Sequence, residues 1–401
     1  LSVRRELAGS LAFLYYQRRN LLDGDEEHWT RIGGCERRLL EHIDAIVAGG
    51  ARMAWSVASG VLDGEPGLAF GGAMVLATIG SEAAFGCLLE VIGQIDEAAL
   101  PAVADALRHA PGSAALTAAL EQMRRAERPA VAAMALDVQS YRRDLPAAIV
   151  LPLLAGSDPV LRRAAIVAAI RGGSSAHAEP VLRAVRELEA HELGLPGLLR
   201  LDRGLALSVA REHSNPGDPA FGVALLTRAV AADTTVTGLL REGVRSPAVA
   251  TAALDAVGAL GDVGFVPLLL QALASEAASA AASALRRITG ADLREEADVA
   301  DPDDPEAAVR VERISQDPAV WTRWWQDHGE RMAASHRHRF GLRYGATAIA
   351  AELEARGRLS ERNRACFELE LALDKPVLAA DWFVARQHAF LGDLAGRRAT
   401  R

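Results

Sequence analysis

RSPAVATAALDAVGALGDVGFVPLLLQALASEAASAAASALRRITGADL, residues 245–293, decides the fold. A helix ends in GALGD (258–262), a second begins near Val266-Pro267, and a third, 276–290, again ends on glycine. Proline just inside a helix start and glycine just past its end are helix punctuation: proline lacks the N–H that the first turn leaves unpaired, and glycine turns left-handed at no steric cost. Leu260 and Ile288 take equivalent places 28 residues apart. Similar openings recur at ERPAVAAMAL (127–136) and SDPVLRRAAIVAAI (157–170). The spacings Pro66–Pro129, Pro129–Pro159 and Pro159–Pro247 are 63, 30 and 88 residues, close to two, one and three units of about 30 residues.

Such a unit is two short antiparallel helices. One pair cannot cover its own apolar faces, so neighbours must stack around a shared core. Composition agrees. Half of the 401 residues are hydrophobic but only 5% are aromatic, so the core is built from Ala, Leu and Val, side chains that favour closely packed helices. The expectation is an all-α protein whose residues 51–290 form a right-handed α-solenoid of helical hairpins, with essentially no strand and with HSNPGDPAFG (213–222) as an inserted loop.

The ends differ from the middle. LAFLYYQRRNLL (11–22) and CERRLLEHIDAIVAGG (35–50) give two amphipathic helices, the second with Leu39, Ile43, Ile46 and Val47 on one face; residues 1–50 form an N-terminal helical cap. The opening LSVRRELAGSLAF mimics a secretory signal, but Glu6 and Gln17-Arg18-Arg19 fit an amphipathic helix better,. Residues 291–318 carry ten acidic and three basic residues with three prolines, and read as an acidic linker or surface loop. Residues 319–401 read as a C-terminal helical module on the last repeat, with Ser360 as a helix cap and a final helix in 381–394.

The stretch WTRWWQDHGERMAASHRHRFGLRYG (321–345) holds three of the six tryptophans. Trp321, Trp324 and Trp325 share a helix face and form a structural cap. Arg337, Arg339, Phe340, Arg343 and Tyr344 follow as an exposed cationic segment, the candidate protein-binding edge. Nucleic-acid binding through 321–345 is the weaker reading: aromatics and arginines suit it, but a net charge of −8 and an acidic neighbour oppose a long phosphate track. His328, His336 and His338, with Asp327, are the only histidine cluster. Helical spacing sends 336 and 338 to divergent faces, so they read as solvated rather than as a metal site. No phosphate loop, metalloprotease or nucleophile-elbow motif is present, and neither a catalytic set nor a cofactor is expected. Cys35, Cys87 and Cys366 are too far apart in sequence for a metal knuckle or redox pair, consistent with reduced thiols in the cytoplasm. No apolar run is long enough to span a membrane.

The repeats resemble HEAT repeats of the short, phycobilin-lyase type. Arg162, Arg163, Asp262 and Arg245 fall where such repeats tie neighbouring turns together. YYQRRNLL and CERRLLEHIDAIVAGG at the start, with WWQDH, RFGLRYG, RNRACFELELAL and FVARQHAFL at the end, resemble a bacterial family of uncharacterised HEAT-repeat proteins, often encoded near type VI secretion-like genes. That resemblance implies a non-enzymatic scaffold, adaptor or chaperone whose partner is another protein, such as an effector or spike component. The alternative it leaves is an enzyme of the HEAT-like lyase or DNA glycosylase type, which needs a carboxylate or histidine held against an aromatic in a deep pocket.

Overall fold

Most helix boundaries fall where the punctuation puts them, although Pro247 lies in the turn before helix Ala250–Leu260 rather than inside its start. Helices Ala250–Leu260 and Ala278–Thr289 stop at Gly261 and Gly290, whose φ angles of 72° and 73° are left-handed,. Pro159 opens helix Pro159–Gly172, with the Asp158 side chain accepting from Leu161 N at 2.9 Å,. This computed structural model describes residues 2–24, 28–300, 308–332, 337–355, 357–375 and 377–399. Among them the protein is all-α in class, with two small two-stranded sheets.

The chain forms two compact units, one of residues 2–23, 29–194 and 381–399, the other of 195–380 with Gly24 and His28. Neither division matches the boundaries expected at 50, 290 and 318. In the first unit, helices Pro66–Ile79, Leu100–His109, Pro129–Arg142 and Pro159–Gly172 stack as an inner layer. Helices Glu82–Ile92, Ala114–Arg124, Ala147–Leu154 and Ala178–Glu187 alternate with them in sequence and form the outer layer. Pro66–Ile79 is apolar all round, with Phe70, Ala73, Val75 and Leu76 buried, because neighbours cover every side of it. The helices Ser2–Asp23 and Ile32–Ala48 pack against it, burying Leu11, Leu39, Ile43 and Ile46. A Cβ at Gly72 would meet Ala58 O at 2.9 Å, so only glycine permits that approach.

In the second unit the inner layer is Phe221–Val230, Ala250–Leu260 and Ala278–Thr289, with Thr237–Arg245 and Val266–Ala272 outside. His213–Ala220 is the expected loop. The acidic region departs from expectation. Arg294–Ala300 and Ala308–Ile314 pair as an antiparallel hairpin, Arg294 opposite Ile314 and Ala300 opposite Ala308; residues 301–307 lie outside the described residues. The alternation in AVRVERI was the strand signal, outweighed by acidic composition. Cross-strand charges then pair rather than repel, Arg313 with Glu295 at 2.9 Å and Arg310 with Asp298 at 3.4 Å,.

The expected C-terminal module is divided. Helices Ala346–Glu354 and Leu359–Leu373 pack together in the second unit, whereas Asp381 and helix Val384–Ala399 belong to the first, against Ile32–Ala48. Ser360 lies inside the first turn, and Arg358 takes the cap position. No helix among the described residues is long and apolar enough to cross a membrane. Cys35, Cys87 and Cys366 form no disulfide.

Candidate functional site

Helix C-termini leave carbonyls without intrahelical partners and a partial negative charge. In the second unit the inner helices end beside one another, and the cationic stretch crosses those ends. His338 N donates to Gly261 O at 2.7 Å, Phe340 N to Arg287 O at 2.7 Å and Gly341 N to Ile288 O at 3.0 Å. Arg337 donates to Leu260 O at 2.7 Å, Ala259 O at 3.1 Å and Ala229 O at 3.3 Å. One guanidinium therefore caps two helices. The strap leaves no room for side chains beneath it: a Cβ at Gly261 would meet His338 O at 2.2 Å.

The reading of this segment as an exposed docking edge is thereby corrected. Arg339 is 1% exposed; it lies 3.0 Å from Glu352 and is ion-paired with Glu368, itself buried. Tyr344 is half-buried and donates to Glu368 Oε2 at 2.8 Å. Burial and the Glu368 charge push its hydroxyl pKa well above the ordinary value, and Arg337 covers its ring at 3.8 Å. Phe340 is half-buried at φ 53°, with Arg286 5.9 Å over its ring. Of the five candidates only Arg343 is exposed. Sequence could not show this, because the carbonyls that consume the charge belong to residues 77 to 108 positions away.

The three tryptophans also separate. Trp321 is 1% exposed and donates from Nε1 to Ser315 O at 2.6 Å, at the base of the hairpin. Trp324 is half-buried and stacks on His328 at 4.6 Å, and Trp325 is half-buried against Gly329. Of the three expected to form a cap, only Trp321 is buried as a core anchor. His338 is buried rather than solvated, and His336 lies outside the described residues. Of the expected ladder residues, Arg162 pairs with Glu187 and Arg163 reaches Leu188 O at 3.4 Å. Asp262 caps Gly264 N at 2.8 Å, and Arg245 is exposed.

A groove of about 790 Å³ opens on the inner layer of the second unit. Its walls are Phe221, Val249, Ala252, Ala280 and Ala284, faced by Arg358, Glu361 and Arg364. Asp255 lies between Arg287, at 3.2 Å, and Arg364. Burial would push its carboxyl pKa up, but the two guanidiniums outweigh this and hold it below the usual value,. The groove thus offers apolar side chains beside charges of both signs.

The inner layer of the first unit carries a polar cluster that no motif announced. Arg18, 0% exposed, donates from Nε to Glu36 at 2.9 Å, and its Nη1 lies 3.7 Å from Asp105 Oδ2. Asp105 and His109, one helical turn apart, approach to 3.2 Å. Burial opposes ionisation of Asp105, yet His109, Arg18 and Arg108 hold its carboxyl pKa well below the usual range. Tyr141 donates to Asp381 Oδ1 at 2.8 Å. His109 stacks on Phe383 at 4.9 Å, the histidine-on-aromatic pairing that an enzyme reading requires. Asp105, His109 and Asp381 each place a ligand atom within 4.8 Å of the others, a donor set suited to a transition metal. The Arg18 and Arg108 charges beside Asp105 already balance these carboxylates, so we assign the cluster as an ion network. The only sequence signal was the i, i+4 pair Asp105/His109; its partners come from four other segments.

No protein-family model matches the chain, and no curated protein is significantly similar to it.

Proposed function

We propose that this protein is a non-enzymatic, protein-binding scaffold or adaptor, built as a right-handed α-solenoid of HEAT-like hairpins and acting as an accessory or chaperone, with the type VI secretion-like setting as its context. The observation that carries the reading is the open groove on the stacked inner helices of the second unit, where Asp255, Arg287 and Arg364 meet small apolar side chains. A surface of this kind suits a polypeptide: main-chain groups and mixed charges meet its charges while small side chains meet its apolar walls. Stacked hairpins repeat such a surface from one unit to the next. Arg339 is buried, and the half-buried Arg337 is taken up by helix carbonyls, which removes two of the five arginines of 321–343 from any phosphate track and weakens the nucleic-acid alternative.

The test is purification of the chain from its native cell under mild conditions. One protein partner should be recovered in stoichiometric amount, and Asp255→Arg, which places a third guanidinium between two others, should release it. Repeated recovery of the chain alone overturns the proposal.

A further inference from the structure

The cluster around Arg18 holds a stretch of polypeptide rather than only other side chains. Arg18 Nη2 donates to the main-chain carbonyl of Asp381. Glu36 Oε2 accepts from the main-chain amide of Val384 at 2.6 Å. Two helix side chains, themselves ion-paired, therefore grip the backbone of 381–384 at both ends. Such grips read main chain, so they are indifferent to sequence. Two further contacts read side chains: Tyr141 donates to the Asp381 carboxylate, and the Phe383 ring lies between the His109 imidazole at 4.9 Å and the Arg18 guanidinium at 5.0 Å. Trp382 lies under Arg386 of its own segment at 3.5 Å, so the slot selects the first and third positions and skips the second.

From these contacts we infer that the inner face of the first unit is a peptide-receiving slot for an acidic-x-aromatic segment, filled in cis by Asp381–Val384 and open to a protein partner that presents the same pattern. The inference rests on the scaffold reading and names the chemistry of its partner: an extended segment with a carboxylate at its first position and an aromatic ring at its third. A tethered occupant acts at high effective concentration. It lowers the apparent affinity for an external segment by the fraction of time the slot is open, and so restricts capture to partners that bind well.

The experiment uses the full chain and a fluorescein-labelled peptide of residues 378–393, read by fluorescence anisotropy. The Asp381→Asn/Phe383→Ala variant removes the two side-chain contacts of the tethered occupant, leaving it only its main-chain grips, without altering Arg18, Glu36, His109 or Tyr141. It should bind the peptide about ten-fold or more tightly than the wild-type chain, and lose that gain when the peptide carries the same two replacements or the slot carries Tyr141→Phe. Equal affinity for both chains, or binding that ignores the acid and the ring, overturns the inference. A second measurement needs no variant: excess unlabelled peptide should speed hydrogen exchange at the Val384 amide of the wild-type chain, and unchanged exchange counts against the slot. Failure here with a stoichiometric partner still recovered leaves the scaffold reading standing and this one fallen. Peptide exchange without any such partner has the opposite meaning.

Discussion

Among the described residues, each unit buries one arginine completely between two carboxylates. Arg339 stands between Glu352 and Glu368, and Arg18 between Glu36 and Asp105. The two differ in what else they hold. Arg339 pairs with carboxylates in the two helices that follow it in sequence, and its main-chain contact, to Gly258 O in the inner helix the strap crosses, is long at 3.4 Å. Arg18 reaches a carbonyl 363 residues away. A guanidinium buried among local partners closes a structure; one that grips a distant backbone selects what lies against it. Burial alone does not distinguish these roles, whereas the identity of the acceptor does.

The comparison can be broken most directly at Arg339. Arg339→Ala leaves Glu352 and Glu368 buried without their countercharge and should cost about 3–5 kcal/mol in urea melts, with no change in peptide exchange at Val384. A change there would mean that Arg339 does more than close its unit. Trp321→Ala should cost a similar amount, about 3–5 kcal/mol, and should expose the hairpin at 294–314 to protease. Trp324→Ala, half-buried, should cost only about 1–2 kcal/mol. Equal losses would restore the view that the tryptophans act as one cap.

Arg337→Ala leaves the carbonyls of Ala229, Ala259 and Leu260 without their guanidinium and should cost about 1–3 kcal/mol. Because these contacts are largely buried, the loss should depend little on salt. Asp105 sharpens the other side of the comparison through pH. Its folded carboxyl pKa is lowered, so its stabilisation is fully present above the unfolded value of about 3.9 and is lost as pH falls through the lowered folded value. Asp105→Asn should flatten the acid limb of a stability–pH curve measured by thermal melting; an unchanged limb would show that other carboxylates, such as Asp233, carry it. Arg343→Ala, at the exposed edge of the strap, should stay within about 0.5 kcal/mol of wild type.

Much of the helical layer was legible in sequence. Pro129 and Pro159 at helix starts, and Gly261 and Gly290 at helix ends, are local signals, and they place helices correctly without knowledge of neighbours. The candidate site was far less legible. Arg337 and Arg339 look solvated because charge next to histidine and glycine usually is. What buries them is a set of carbonyls and carboxylates brought together from helices up to 108 residues away. The hairpin at 294–314 lies between these cases: its alternation was present, but ten acidic residues resembled a linker until the paired strands set opposite charges side by side.

Composition, hydrophobic period and helix punctuation by themselves determined that this chain makes short, closely packed helices in alternating layers, because those preferences act within a turn or two of backbone. Only the tertiary structure decided which charges are buried, that the basic strand caps three helix ends, and that Asp381–Val384 lies against Arg18 and Glu36. The physical reason is that a buried charge is tolerable only beside its partners, and where those partners meet is a property of the folded chain.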